Sequence, residues 1–167
     1  MGGDPDLDLD QLYLASYRRL VVQMYAICGD TAEAEDAVQD AFVAALRKQR
    51  EPGRFANTEA WVRTAALNRL RNTWRHASVV RLYQPKVPGP QAPVEPRPEH
   101  VAIVTALALV GREEREVVVL HYLADLGIAE VARELGIPEG TVKSRLSRAR
   151  ASLAHLLDDR EEEPRHV

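Results

Sequence analysis

The sequence predicts an all-α protein built as two small helical domains joined by a proline-rich linker. Three observations carry that expectation. Apolar residues recur in steps of three and four on both sides of the chain's middle, as one-sided helices require. Six of the fifteen residues from Gln84 to Pro98 are proline, which excludes helix and central strand there. The stretch from Ile128 to Leu157 has the apolar pattern of a helix-turn-helix. With 167 residues and 46% hydrophobic content, the chain has enough material for one ordinary domain or two small helical ones.

Taken in order, residues 1–8 are rich in Gly and Asp and are expected to fray. A first helix then carries Tyr13, Tyr17, Leu20, Val21 and Met24 on one side and ends near Gly29. Asp30 is an N-cap residue and Glu33 follows three positions later, a capping-box-like start for a helix to about Lys48. Ala34, Val38, Ala41, Phe42 and Ala45 point inward on it, whereas Glu33, Asp36, Gln39 and Asp40 form the other face. Periodicity alone favours reading these acids as solvated and placed well near a helix N-terminus. An acidic docking face for another protein's basic helix is the alternative. Glu51 to Asn57 contains Pro52 and Gly53 and reads as a loop.

Thr58 is expected to cap a third helix to about His76. Leu67, Leu70 and Trp74 form its apolar stripe, with Trp74 taken as core, and Thr64, Asn68, Arg71 and Arg75 a polar and basic one. Phe55, Trp61, Trp74 and Tyr83 place most of the scarce aromatics beside arginines. Aromatics interleaved with cations suit single-stranded nucleic acid, through stacking and phosphate pairing. The same residues could serve as core, and Trp61 stays undecided. The linker, 84–98, could span roughly 45 Å as a polyproline-like tether at ~3.1 Å per residue. Glu99 to Leu109 and Arg112 to Asp125 are two further helices broken at Gly111, with Val117, Val118, Leu120, Tyr122 and Leu123 as core.

Within the helix-turn-helix, Ile128, Val131, Ala132 and Leu135 make one apolar face. Gly136 stands where a terminator with positive φ belongs, and Pro138 where a new helix can begin. The second helix has Val142, Leu146, Ala149, Leu153 and Leu156 as its stripe. Gly140, Lys143, Ser144, Ser147 and Arg148 fall opposite. From Gly140 to Leu157 there is no acid, while Lys143, Arg145, Arg148 and Arg150 are present. A half-buried helix whose free face is small, hydroxylic and cationic suits a DNA major groove. A solvated face on an ordinary helical hairpin is the plainer alternative. Residues 158–167 are charged and expected to be disordered.

The net charge of −3 hides segregation. Nine acids precede Leu46 against Arg18 and Arg19, and no acid lies between Trp61 and Val94, where Arg63, Arg69, Arg71, Arg75, Arg81 and Lys86 occur. Separate acidic and basic surfaces follow. Cys28 is the single cysteine, so no intramolecular disulfide can form, and it is expected to be a small core residue. No His, Cys and carboxylate grouping has metal-ligand spacing, and no cofactor is expected. With no signal-peptide pattern and no apolar run of the ~20 residues that span a bilayer, a cytoplasmic protein with no membrane contact of its own is expected. No Gly-rich phosphate loop or nucleophile–base pairing suggests an enzyme.

Two separate stretches resemble one family. Glu134 to Arg150 (ELGIPEGTVKSRLSRAR) is similar to region 4 of bacterial sigma factors. Gly29 to Phe42 (GDTAEAEDAVQDAF) and Ala60 to Asn68 (AWVRTAALN) resemble region 2. Only those two regions are present, the layout of the extracytoplasmic-function (ECF) subfamily. The resemblance implies region 2 over 9–83 and region 4 over 99–157. It also implies a protein that binds core RNA polymerase, directs it to promoters and helps melt them.

On that basis Asp36, Gln39 and Asp40 would dock on the clamp helices of the largest polymerase subunit. Asn68, with Phe55 in the preceding loop, would hold a base flipped from the non-template strand of the −10 element. Trp61, Thr64, Arg71 and Arg75 would complete that surface. Capturing a flipped base offsets the few kcal/mol of unstacking. Lys143, Ser144, Ser147 and Arg148, with Gly140 beside them, would face the duplex −35 element, and Thr141 and Arg145 its phosphates. The linker corresponds to a segment threaded near the RNA exit path. The resemblance further implies an anti-sigma factor as a partner.

The chain departs from the family at Val110-Gly111, where Leu-Pro is usual. It departs again at Gly127-Ile128 in place of a Ser-Tyr pair, and at Arg69 and Asn72 after Asn68. Two alternatives remain from sequence. One is a polymerase-independent helix-turn-helix regulator whose N-terminal half senses or dimerises. The other is a helical adaptor with no DNA role.

Overall fold

A computed structural model describes residues 5–48, 57–77 and 94–161, with side chains from 9 to 155 within those spans. The chain divides into two compact units, 1–96 and 97–167, and every regular element among the described residues is helical.

The first unit packs three helices: α1 (Pro5–Cys28), α2 (Thr31–Lys48) and α3 (Thr58–Ala77). Leu20, Met24 and Ile27 of α1, Val38 of α2, and Val62, Leu67 and Leu70 of α3 are almost entirely removed from solvent. Each such side chain contributes about 1.5–3 kcal/mol of burial. Tyr13 is half-buried and stacks on Tyr17 and edge-on to Phe42, with ring centroids 4.9 and 4.8 Å apart.

The punctuation follows local chemistry. Gly29, at φ 76°, closes α1 through its N–H to the Tyr25 carbonyl. Asp30 Oδ1 accepts the Glu33 N–H at 2.9 Å and caps α2, as expected. At α3 the cap is Asn57 rather than Thr58: Asn57 Oδ1 accepts the Ala60 N–H at 3.0 Å. Both residues are competent caps, and asparagine's longer reach places its oxygen over the N3 amide.

Several expectations change. Helix α1 starts at Pro5, not after residue 8, because proline suits a first turn. Trp74 is half-exposed rather than core, since α3 carries no buried residue beyond Leu70. Of the linker, 84–93 lies outside the described residues, as does the 51–56 loop with Phe55. The linker's far end is not a free tether: Val94 is buried in the first unit, and its N–H donates to Glu35 of α2. Cys28 is partly exposed, and its Sγ donates to the Asp30 carbonyl at 3.2 Å.

The second unit holds α4 (Pro98–Leu107), α5 (Arg112–Val118) running into a π-helical turn (Val119–Leu123), α6 (Ile128–Leu135) and α7 (Glu139–Glu161). Proline again opens a helix at Pro98. Arg115 Nη2 donates to the Ala108 and Val110 carbonyls and so ties α5 to the end of α4. Asp125, at φ 55°, turns the chain after the π-helical turn, a left-handed position that a short polar side chain tolerates. Val117, Val119, Leu120, Val131, Val142, Leu146 and Ala149 form the core. Tyr122, expected there, is instead exposed. Helix α7 runs to Glu161, past the expected end at 157.

Candidate nucleic-acid interface

The helix-turn-helix is built by backbone chemistry at three residues. Glu130 Oε2 accepts the Gly127 N–H at 2.8 Å and fixes the start of α6. Gly136 ends it at φ 65° and ψ 37°, with Gly136 N–H to the Arg133 carbonyl at 3.3 Å and Ile137 N–H to Ala132 at 3.1 Å. That bond pair is a Schellman motif. Pro138 then supplies the carbonyl that accepts the Thr141 and Val142 amides, so it caps α7 from just outside.

This turn sets the rotation of α7. Val142, Leu146 and Ala149 are buried, and Gly140, Lys143, Ser144, Ser147 and Arg148 are all exposed on the opposite side. Ser144 Oγ donates to the Thr141 carbonyl at 3.0 Å, which holds its hydroxyl against the helix. Thr141 and Arg145 are half-buried at the edge of the face. Arg145 differs from its neighbours: its side chain is 14% exposed and Nη2 meets Glu113 Oε2 at 2.8 Å. Arg148 is 63% exposed and its Nε lies 3.4 Å from Glu114 Oε1. Sequence reasoning missed both acids, although Gly111 and Glu114 have cap and N3 spacing, which was the available signal.

In the first unit, Trp61, Thr64, Asn68, Arg71 and Arg75 line one side of α3 at helical spacing. Asn68 and Arg75 are exposed; Trp61, Thr64 and Arg71 are half-buried. Lys48 Nζ lies 5.1 Å from the Trp61 ring centroid, a cation–π contact that keeps one flank of the indole at the surface. Phe55 lies outside the described residues.

On α2, Asp36 and Asp40 are exposed and Gln39 is half-buried, with Nε2 donating to the Tyr17 hydroxyl at 3.2 Å. Burial pushes the Tyr17 phenol above its ordinary pKa against the opposing Gln39 hydrogen bond. Asp40 Oδ2 pairs with Arg69 Nε at 2.7 Å. Arg19 Nη2 of α1 pairs with Glu59 Oε1 of α3, also at 2.7 Å. Val43 and Leu46, 45% and 49% exposed, continue the acidic face along α2 as an apolar strip that periodicity did not single out.

A groove-ready helix in one unit and a basic, aromatic stripe in the other define a DNA-binding protein of the helix-turn-helix class. Comparison with known proteins specifies it further. Residues 12–79 match the family model for sigma-70 region 2, and residues 100–153 that for sigma-70 region 4. The ECF RNA polymerase sigma factor SigM of Mycobacterium tuberculosis is 35% identical over 152 residues, covering 89% of this chain and 76% of SigM. SigL of the same organism is 34% identical over 148 residues, covering 83% of this chain and 84% of SigL.

Among solved structures, RpoE from Bartonella quintana, seen with the anti-sigma factor NepR, superposes with a TM-score of 0.69 at 25% identity. That match covers 90% of this chain and 97% of RpoE. CnrH, seen with the cytosolic domain of CnrY, gives 0.65 at 25% identity over 92% of this chain and 90% of CnrH. The chain belongs to the ECF family of sigma factors.

Proposed function

We propose that this sigma factor brings core RNA polymerase to its promoters by dividing DNA recognition between its two units. The exposed face of α7 enters the major groove of the duplex −35 element. The stripe on α3 receives the opened −10 strand, with Asn68 holding an everted base and Trp61, Thr64, Arg71 and Arg75 alongside it. Phe55, which precedes α3 in the sequence and lies outside the described residues, contributes to base capture in this scheme. Asp36, Gln39 and Asp40 dock on the clamp helices of the largest polymerase subunit, and the exposed Val43 and Leu46 extend that surface. An acidic strip flanked by apolar side chains complements a basic amphipathic helix. Melting in this scheme draws on base capture and uses no catalytic residue.

One observation supports this division above the rest. The face of α7 that is exposed is the small, hydroxylic and cationic one, opposite the buried Val142, Leu146 and Ala149. One structural relative, RpoE, is held by an anti-sigma factor, which supports an anti-sigma factor as this chain's regulator. Among the described residues no helix is long and apolar enough to cross a membrane.

The test is run-off transcription with core polymerase and a genomic promoter library. Promoter-specific transcripts that need the added chain are expected. Arg148→Ala should weaken −35 duplex binding by ~1–3 kcal/mol, whereas Asn68→Ala should spare duplex binding and impair opening. Folded protein that gives no stimulation, or equal effects of both substitutions on duplex affinity, would refute the scheme.

A further inference from the structure

Helix α5 opens on Gly111, at φ −54° and ψ 149°, where the family resemblance leads one to expect proline. The glycine has a consequence for its neighbour. Glu114, three residues on, folds back over the helix start, and a Cβ at position 111 would stand well inside contact distance of its Oε2. The other carboxylate oxygen, Oε1, faces Arg148 Nε of α7 at 3.4 Å. Glu114 is only 23% exposed, so its side chain is packed in place, while Arg148 is 63% exposed and reaches outward.

The atom used matters. An arginine reads guanine O6 and N7 through its two terminal nitrogens in a bidentate pair. An acid paired with Nε leaves that edge available and favours the orientations that aim it. An arginine free to rotate must instead be ordered on binding, which costs side-chain entropy.

We propose that Glu114 is a positioning residue for base readout. It holds Arg148 by Nε so that the guanidinium's outer edge meets one base pair of the −35 element, and Gly111 supplies the space the carboxylate needs. This rests on the placement of α7 at the −35 element. A carboxylate close to DNA also opposes sequence-independent attraction to phosphates, so Glu114 lowers non-cognate binding while it sharpens cognate binding. Discrimination therefore depends on the acid twice over.

Two substitutions separate positioning from bulk charge. Glu114→Gln removes the charge and keeps a side chain able to cap the helix start. Gly111→Ala keeps every charge, suits its φ without strain, and pushes the carboxylate out of its place. Holoenzyme reconstituted from the full-length chain and core polymerase is challenged with promoter duplexes randomised across the −35 element. Arg148→Ala identifies the base pair that Arg148 reads.

Both test substitutions should relax preference at that same base pair by about tenfold, within the range of one bidentate contact, and leave other positions unchanged. Glu114→Gln should also raise non-cognate binding, and Gly111→Ala should not. Unchanged preference in both variants would overturn the proposal. So would an equal rise for all sequences with Glu114→Gln, which would make the acid a plain competitor with DNA. If Arg148→Ala relaxes no −35 position, both the placement of α7 and the proposal fall together.

Discussion

Replacing Gly136 with alanine tests whether the helix-turn-helix is set by backbone conformation. The glycine sits at φ 65° and ψ 37°, and a Cβ there would meet nothing within 4 Å. No collision contributes, so the cost is conformational. A non-glycine residue in the left-handed region costs roughly 1–2 kcal/mol, offset in part by the ~0.4–1 kcal/mol gained when alanine restricts the unfolded chain. A net loss of about 1 kcal/mol is expected, or roughly a fivefold shift in the local opening equilibrium. Hydrogen exchange on the full-length chain reads that shift without assuming two-state unfolding of two units. Protected amides of α6 and α7 should exchange about fivefold faster, and those of α1 to α3 should be unchanged. Gly136→Asn should cost less, because asparagine tolerates this region. Equal losses for alanine and asparagine would refute a conformational origin, and acceleration in α1 to α3 would show that the effect is not local to the helix-turn-helix.

Gln23 is 1% exposed, and among the described residues neither polar atom of its amide has a hydrogen-bond partner. Gln23→Met should therefore stabilise the first unit by ~1–2 kcal/mol in exchange measurements, and destabilisation would show that the amide is satisfied after all. Burial pushes the Cys28 thiol up to about 11, against the weaker pull of the Asp30 carbonyl contact. Its alkylation at pH 8 should run on the order of 100-fold slower than in urea, and equal rates would refute the burial. The sign is that of an acid kept neutral: stability is unaffected below the unfolded thiol's pKa of 9.0 and declines as pH rises from there towards about 11. Asp40→Asn breaks an ion pair whose partners are both more than half exposed, so stability should fall by no more than ~1 kcal/mol. Loss of polymerase binding well beyond that fall is expected, and unchanged binding would remove Asp40 from the docking surface.

Legibility followed the range of the interactions. The rotation of α7 and the stops at Gly29 and Gly136 depend on apolar period and glycine conformation, both local, and both were readable. Trp74 was misplaced because periodicity gives a direction around a helix and says nothing of where the partner helices end. Thr58 lost to Asn57 because two adjacent residues can each cap a helix and asparagine is the stronger of the two. The ion pairs that organise the candidate interface could not be read for a related reason. Glu113 meets Arg145 and Glu114 meets Arg148 across more than thirty positions of sequence, and only the packing of α5 on α7 brings them together.

Those pairings explain how a protein of net charge −3 could read DNA and why it would do so weakly alone. Among the described cations of α7, Arg145 meets Glu113 and Arg148 meets Glu114, while Lys143, Arg148 and Arg150 are exposed. Each phosphate neutralised contributes about −0.9 to the slope of log affinity against log salt. The isolated chain should thus bind −35 duplex with a slope no steeper than about −3, shallow beside a repressor that engages many phosphates. Polymerase changes the situation without altering either surface. Once the first unit is docked, the second is held to the same complex through the chain, at an effective concentration in the millimolar range for short tethers, and two weak contacts combine into one strong one. A titration of the full-length chain against −35 duplex from 50 to 200 mM salt, with and without core polymerase, decides between this and self-sufficient binding. A steep slope and tight binding without polymerase would mean that the acids on α5 do not restrain the recognition helix.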